Sequence, residues 1–200
     1  MADFLYSLDV SIFYFMNHSL QNPLFDAAMP FFTDLNKQPI ALVVAGLLWL
    51  LLLVKGGRNG RIAALLLIPT IYFSDQLSST FVKHLIDRLR PCHVLNDVHL
   101  LVPCGSGFSF PSSHAVNNFA AAVVLSHYVP KGVWGFYSFA ALMAFSRPYV
   151  GVHYPSDIFA GTAIGIGCGA LIVVVYTRVE AWWNGRRTAQ HSESENEEKP

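Results

Sequence analysis

The sequence predicts an all-α, multi-pass transmembrane helical bundle, with about five spanning helices and an N-terminal interfacial helix. Three observations carry that expectation. The 200 residues are 53% hydrophobic and only 13% charged, with a mean hydropathy of +0.41, which is too apolar for an ordinary soluble domain. Apolar runs of near-spanning length recur between short polar interruptions. Fifteen Phe, eight Tyr and four Trp suit aromatic anchoring at the membrane interfaces. The formal net charge is +0, so nothing in the charge balance favours a nucleic-acid partner.

Residues 1–38 read as the interfacial segment. Phe4, Leu5, Leu8, Ile12, Phe15 and Met16 recur at helical spacing, with Asp3, Ser7, Asp9 and Ser11 between them. That is the pattern of a helix lying in the membrane surface. Asn22-Pro23 breaks it, and Leu24–Thr33 reads as a second short surface helix. Neither a basic start nor an A-x-A site marks a cleavable leader.

Residues 39–183 read as the membrane core. Ile40–Val54 is the first span and the cleanest apolar run. Ile62–Leu89 is the second, apolar up to Phe73 and polar afterwards. Within it Gln76, Ser79 and Lys83 fall on one helical face, which is expected to point into the bundle. Pro91–Phe110 is a long loop. Ser113–Val129, Val133–Phe145 and Ile158–Tyr176 are the remaining spans. Gly161, Gly165 and Gly169 recur once per turn in the last one and predict close helix packing. Residues 184–200 are polar and acid-rich and are expected to be disordered.

Orientation follows from the basic residues. Lys55, Arg58 and Arg61, then Lys131, then Arg178, Arg186 and Arg187 all fall on one side, which the positive-inside rule makes cytoplasmic. Cys168 sits in an apolar run and reads as a packing residue. Cys92 and Cys104 bracket a loop on the opposite side, where a disulfide is expected if the compartment is oxidising. No Cys/His spacing resembles a zinc site.

Three polar clusters share that outer side: Lys83–Pro91, Pro111–His114 (PSSH) and Ser146–Asp157 (SRPYVGVHYPSD). Together they hold what an oxyanion needs. Lys83, Arg90 and Arg147 offer a point charge and two planar forks. Ser112 or Ser113 can cap the third span and aim its first amides at the same anion. His153 is a candidate nucleophile. Asp157, in the first turn of the last span, can fix its tautomer and stabilise its cation. His114 can protonate a departing oxygen. The cations can carry the charge stabilisation, so neither a metal nor another cofactor is expected.

These clusters resemble the signature of the type-2 phosphatidic acid phosphatase superfamily, which also contains vanadium haloperoxidases. That pattern is K-x6-R-P, P-S-G-H and S-R-x5-H-x3-D. Lys83 to Arg90-Pro91 matches the first, and Ser146-Arg147, His153 and Asp157 match the third. The second reads PSSH, with Ser113 at the usual glycine; serine keeps the amide but narrows the backbone choices. The resemblance implies a phosphohistidine at His153, an acid role for His114 and an orienting role for Asp157. It implies phosphate binding by Lys83, Arg90, Ser112, Ser113 and Arg147.

Taken singly, each residue has an ordinary explanation. Asp157 could complement a helix dipole, worth ~0.3–1 kcal/mol. Ser112 could be only a cap, and Lys83 and Arg90 could snorkel to the interface. Asp87 and Arg88 read as helix-end charges, with Arg88 also able to touch a headgroup, His84 and His127 as structural, and Asp75 as paired with a polar neighbour. Asn117 and Asn118 read as supports for His114. Joint occurrence decides for the main set, because independent snorkelling and capping do not predict one face, one order and these spacings.

The expected activity is hydrolysis of a terminal lipid phosphate or diphosphate in the cell (inner) membrane, the lipid entering sideways between helices. Undecaprenyl diphosphate, phosphatidylglycerophosphate, phosphatidic acid and lipid A phosphate are the candidates that the resemblance supplies. For a bacterial chain the outward-facing site favours the first. A lipid-phosphate binder or transporter, and vanadate-dependent peroxidase chemistry, are the competing readings.

Overall fold

The computed structural model describes residues 2–197. Among them there are helices, turns and one extended loop region, with no strand. Helix α1 (Ala2–Tyr14) continues into a π-helical turn over Phe15–Ser19. The Asn22 side chain caps α2 (Pro23–Thr33) by accepting from the Phe25 N–H at 2.9 Å, with Pro23 at the first helical position. A short turn leads to α3 (Pro39–Lys55), and Gly56-Gly57 turns the chain into α4 (Gly57–Asp75). A π-helical stretch, Gln76–Val82, joins α4 to the short α5 (Lys83–Ile86). The one-turn α6 (Pro91–Val94) opens the long loop, followed by α7 (Ser113–Tyr128), α8 (Val133–Tyr149) and α9 (Pro155–Glu197).

Two stretches, Gly57–Val94 and Pro155–Thr188, are long and apolar enough to cross a bilayer, and α3 is apolar but shorter. No residue of α3 is buried, and Ile40, Leu47, Leu48 and Val54 are all exposed. One side of α3 packs on α4, where Trp49 Nε1 donates to the Ala64 carbonyl at 2.8 Å, and the apolar surface left exposed on its other sides is matched by lipid, not by water.

Helix α7 is the centre of the bundle, packed against α4, α8 and α9. The glycine ridge of α9 sets its distance. A Cβ on Gly161 would lie 2.8 Å from the Ser112 carbonyl oxygen, and one on Gly169 would lie 2.6 Å from that of Ala120. One on Gly165 would sit closer still to the Val116 carbonyl. Only glycine permits this approach. It seats the start of α7 on the start of α9, where the Ser112 N–H donates to the Asp157 carbonyl at 3.1 Å.

Three differences from the sequence expectation have local causes. The second predicted helix does not reach Leu89. Asp87 adopts a left-handed conformation, φ 50°, which ends the helix after Ile86. The π-helical stretch carries an extra residue per turn and rotates the polar face. Gln76 is therefore exposed, accepting from Thr80 Oγ1 at 3.1 Å, and Ser78 takes the buried place. The expected disorder from Asn184 is replaced by a continuation of α9 to Glu197, since a helix already nucleated extends readily through Arg, Ala, Gln and Glu. The remaining tail positions, 198–200, lie outside the described residues. Cys92 and Cys104 are disulfide-bonded, and Cys168 is free and buried.

Candidate active site

His153 lies in the loop between α8 and α9 and is 2% exposed. Gly151 shapes that loop: its φ is +89°, and a Cβ there would meet Val98 Cγ1 at 2.7 Å. Asp157, fully buried, sits in the first turn of α9 as its spacing predicts. Its Oδ2 accepts the Tyr154 N–H at 2.8 Å and faces His153 Nδ1 at 3.4 Å. On the other side of the ring, Nε2 faces Arg90 Nη1 at 3.4 Å. A guanidinium can only donate. The network therefore assigns the ring proton to Nδ1 and leaves a lone pair on Nε2.

The cations approach from separate elements. Arg90 stands in extended backbone before α6, and its Nε donates to the Gly107 carbonyl at 2.7 Å. Arg147 is buried in the last turn of α8. Its Nη1 donates to Thr33 Oγ1 at 2.7 Å, while its Nε is buried with no acceptor among the described residues. Lys83, half-buried on α5, has no acidic partner among the described residues. Burial holds the His153 imidazole well below its ordinary pKa, and the positive field of Arg147, Arg90, Lys83 and His114 pushes it the same way. The ring is thus neutral near neutral pH, the state a nucleophile needs.

The PSSH turn departs in part from expectation. Ser112 is the N-cap of α7 but makes no side-chain capping bond, and its hydroxyl is buried without a partner among the described residues. Its amide is taken by the Asp157 carbonyl and so does not face an anion. The Ser113 hydroxyl turns toward Ser78 and Ser79, at 3.2 and 3.0 Å. What Ser113 can offer an anion is its first-turn amide, which has no acceptor inside the helix. His114 Nε2 donates to the Thr33 carbonyl at 3.0 Å, and its Nδ1 has no protein partner among the described residues. Asn118 donates to the His114 carbonyl at 2.9 Å. Asn117 instead donates to Asp75 at 3.0 Å and accepts from Ser74 at 2.7 Å, so Asp75 is paired inside the bundle. A cavity of about 360 Å³, lined by His114, Ser113, Asp75, Leu42 and Phe139, opens between α3, α7 and α8.

Sequence reasoning missed three contributors and misread a fourth. Thr33 holds both Arg147 and His114, and nothing in its spacing announces that. Arg88 is no helix-end charge: it donates to Asp157 Oδ1 at 2.8 Å and to Asp9 Oδ2 at 2.6 Å. Asp9 and Ser156 complete that cluster. Only Asp87 gave a local signal, since Asp tolerates the left-handed turn that swings Arg88 inward.

Lys83, Arg90, Arg147, His114, His153 and Asp157 thus meet around one imidazole, with buried donors that lack protein acceptors. A tetrahedral oxyanion matches that arrangement. A model of the PAP2 superfamily matches residues 62–181. The chain belongs to the PAP2 superfamily. As such it is a phosphatase. This PAP2 phosphatase is 32% identical, over 82% of its chain and 75% of the other, to the lipid A 4'-phosphatase of Bacteroides thetaiotaomicron. It is 29% identical to the undecaprenyl-diphosphatase BcrC of Bacillus subtilis, over 76% of each chain. The crystal structure of Aquifex aeolicus LpxE superposes with a TM-score of 0.69 at 30% identity, covering 83% of this chain and 94% of that one.

Proposed function

We propose that this PAP2 phosphatase removes a terminal phosphate from a membrane lipid through a phosphohistidine at His153, without a metal ion. The observation that carries the reading is the unprotonated Nε2 of His153, on a ring held between Asp157 and Arg90 and surrounded by cations. The Nε2 lone pair attacks phosphorus, and the bond from phosphorus to the lipid oxygen breaks with its electron pair on that oxygen. His114, protonated once the phosphate dianion is bound, donates its proton to the leaving oxygen. Asp157 balances the charge on the His153 ring. Water then attacks the phosphorus and gives its proton to His114, and the P–N bond breaks back onto Nε2. Lys83, Arg90, Arg147, the Ser112 hydroxyl and the Ser113 amide hold the phosphate oxygens, each donor of this kind being worth about 10²–10³ in rate.

The reading sets five spans on α3, α4–α5, α7, α8 and α9, with α1 and α2 in the interface and the site on the extracytoplasmic side of the cell membrane. Two observations support it. Arg58 bonds Glu180 at 2.6 Å, which joins two of the basic stretches at one end of the bundle, as the positive-inside rule requires. The Cys92–Cys104 disulfide lies on the active-site loop, as an oxidising compartment favours.

For substrate, the long alignment to a lipid A 4'-phosphatase puts a phosphorylated sugar lipid ahead of undecaprenyl diphosphate. The alignment to an undecaprenyl-diphosphatase over 76% of the chain keeps the latter as the second reading. The test is phosphate release from lipid A, undecaprenyl diphosphate, phosphatidylglycerophosphate and phosphatidic acid, in chelator, by the purified protein. Turnover of at least one lipid, fastest on lipid A, is the expected result. Strict dependence on a divalent metal would overturn the mechanism, and binding without release would favour a lipid-phosphate carrier.

A further inference from the structure

Helix α1 reaches the catalytic centre through one carboxylate. Asp9, buried at 8% exposure, accepts from Arg88 Nη2 at 2.6 Å. It also accepts the Ser156 N–H at 2.9 Å and the Ser156 hydroxyl. Arg88 in turn gives Nη1 to Asp157 Oδ1 at 2.8 Å and to Ser156 Oγ at 2.6 Å, and its guanidinium lies 3.8 Å from the centre of the Tyr154 ring. The two oxygens of Asp157 therefore have different partners. Oδ2 faces His153, and Oδ1 faces an arginine that α1 holds from behind.

We propose that Asp9 is a positioning residue for the reaction: it shares the Arg88 cation, so that Asp157 keeps a net negative charge directed at His153. The inference rests on the phosphohistidine reading. The charge count gives its logic. Asp157 and Arg88 alone form a neutral pair, whose field at the His153 ring is weak. Asp9 adds a second carboxylate to the same arginine, and the triad carries one net negative charge beside a ring that must become cationic. Among the described residues, the groups that bear on His153 from the other elements are Lys83 from α5, Arg90 before α6, His114 from α7 and Arg147 from α8. In so cationic a pocket the loss of one negative charge is felt at the nucleophile. The same contacts explain why a helix with Phe4, Leu5, Leu8 and Ile12 exposed keeps an acid on its inner face.

The experiment compares Asp9→Asn and Asp9→Glu with the wild type in kcat, KM and the pH profile of kcat/KM. Asp9→Asn is expected to lower kcat about ten- to hundredfold, the scale of a misplaced catalytic group, with KM changed less than about threefold because no phosphate ligand is touched. The acid limb of the profile moves to lower pH, because a less negative surrounding makes His153 harder to protonate. Asp9→Glu restores much of the loss. A fall in rate with an unmoved acid limb would mean that Asp9 only holds the fold together and would overturn the proposal, as would wild-type rates in Asp9→Asn. Thermal midpoints in detergent identify a variant that fails to fold, and Arg88→Lys, which keeps the cation but loses the fork, then reports on the same link through the same acid limb. His153→Ala is the control for the underlying reading. If it retains activity, the phosphohistidine fails first; if it is inactive while Asp9→Asn matches the wild type, only the role of Asp9 fails.

Discussion

The two ends of the helix bundle use charge in opposite ways. Where α4 begins, Arg58 pairs with Glu180, with side chains 72% and 30% exposed. At the other end, Arg88 pairs with Asp157, with side chains 22% and 0% exposed. His153, Arg90 and Arg147 are buried beside that second pair. Exposed pairs add little to stability. Buried ions are costly to desolvate, and among the described residues Arg147 Nε and Ser112 Oγ lack even a protein acceptor. The first end is thus ordinary surface, whereas the second keeps buried donors unpaired at the expense of stability.

The sharpest way to break that contrast is at the nucleophile. His153→Ala should lose at least about a thousandfold in kcat while keeping its thermal midpoint, as measured by phosphate release and scanning fluorimetry in detergent. Next comes the packing that joins the two motif-bearing helices. Gly165→Leu drives a side chain into the Val116 carbonyl and should destabilise the fold by about 3 kcal/mol, with activity lost in parallel. Thr33→Val removes one acceptor from Arg147 but keeps the carbonyl that holds His114. It should weaken activity about tenfold, mainly through KM, because the proposed role of Arg147 is to bind phosphate in the ground state as well. Arg58→Ala is the smallest expected effect: under about 1 kcal/mol in stability and none on turnover. A large activity loss in that last variant would erase the distinction between the two ends.

The pH dependence sharpens the same contrast. In the proposed mechanism His153 attacks only when neutral, and its surroundings lower its pKa. The acid limb of kcat/KM should therefore lie below the ordinary imidazole value of about 6.5. A limb at or above that value would mean that the buried cations do not act on the ring.

Most of the candidate site was legible because its residues announce themselves by order and spacing. Lys83 and Arg90, His114, and then Arg147, His153 and Asp157 are each local patterns, and the Gly161, Gly165 and Gly169 ridge predicts close packing of the last helix, though not that its partner is α7. Thr33 and Asp9 were not legible. Their partners, Arg147 and Arg88, are distant in the chain, and a lone Thr or Asp on an amphipathic helix looks like solvent-facing surface. Arg88 was misread because a helix was carried past Asp87, where the backbone turns left-handed. Gln76 was misplaced because periodicity assumes α-geometry throughout, and the π-helical stretch breaks it. The turn at PSSH was half right: its first amides are open, but the Ser112 amide already serves Asp157.

The central claim is a covalent one, and rapid quenching of the enzyme with a radiolabelled lipid phosphate tests it directly. The account predicts a phosphoenzyme that is stable to alkali, labile to acid, mapped to His153 and absent from His153→Ala. A label that persists in that variant, or steady turnover with no phosphoenzyme at any quench time, would contradict it.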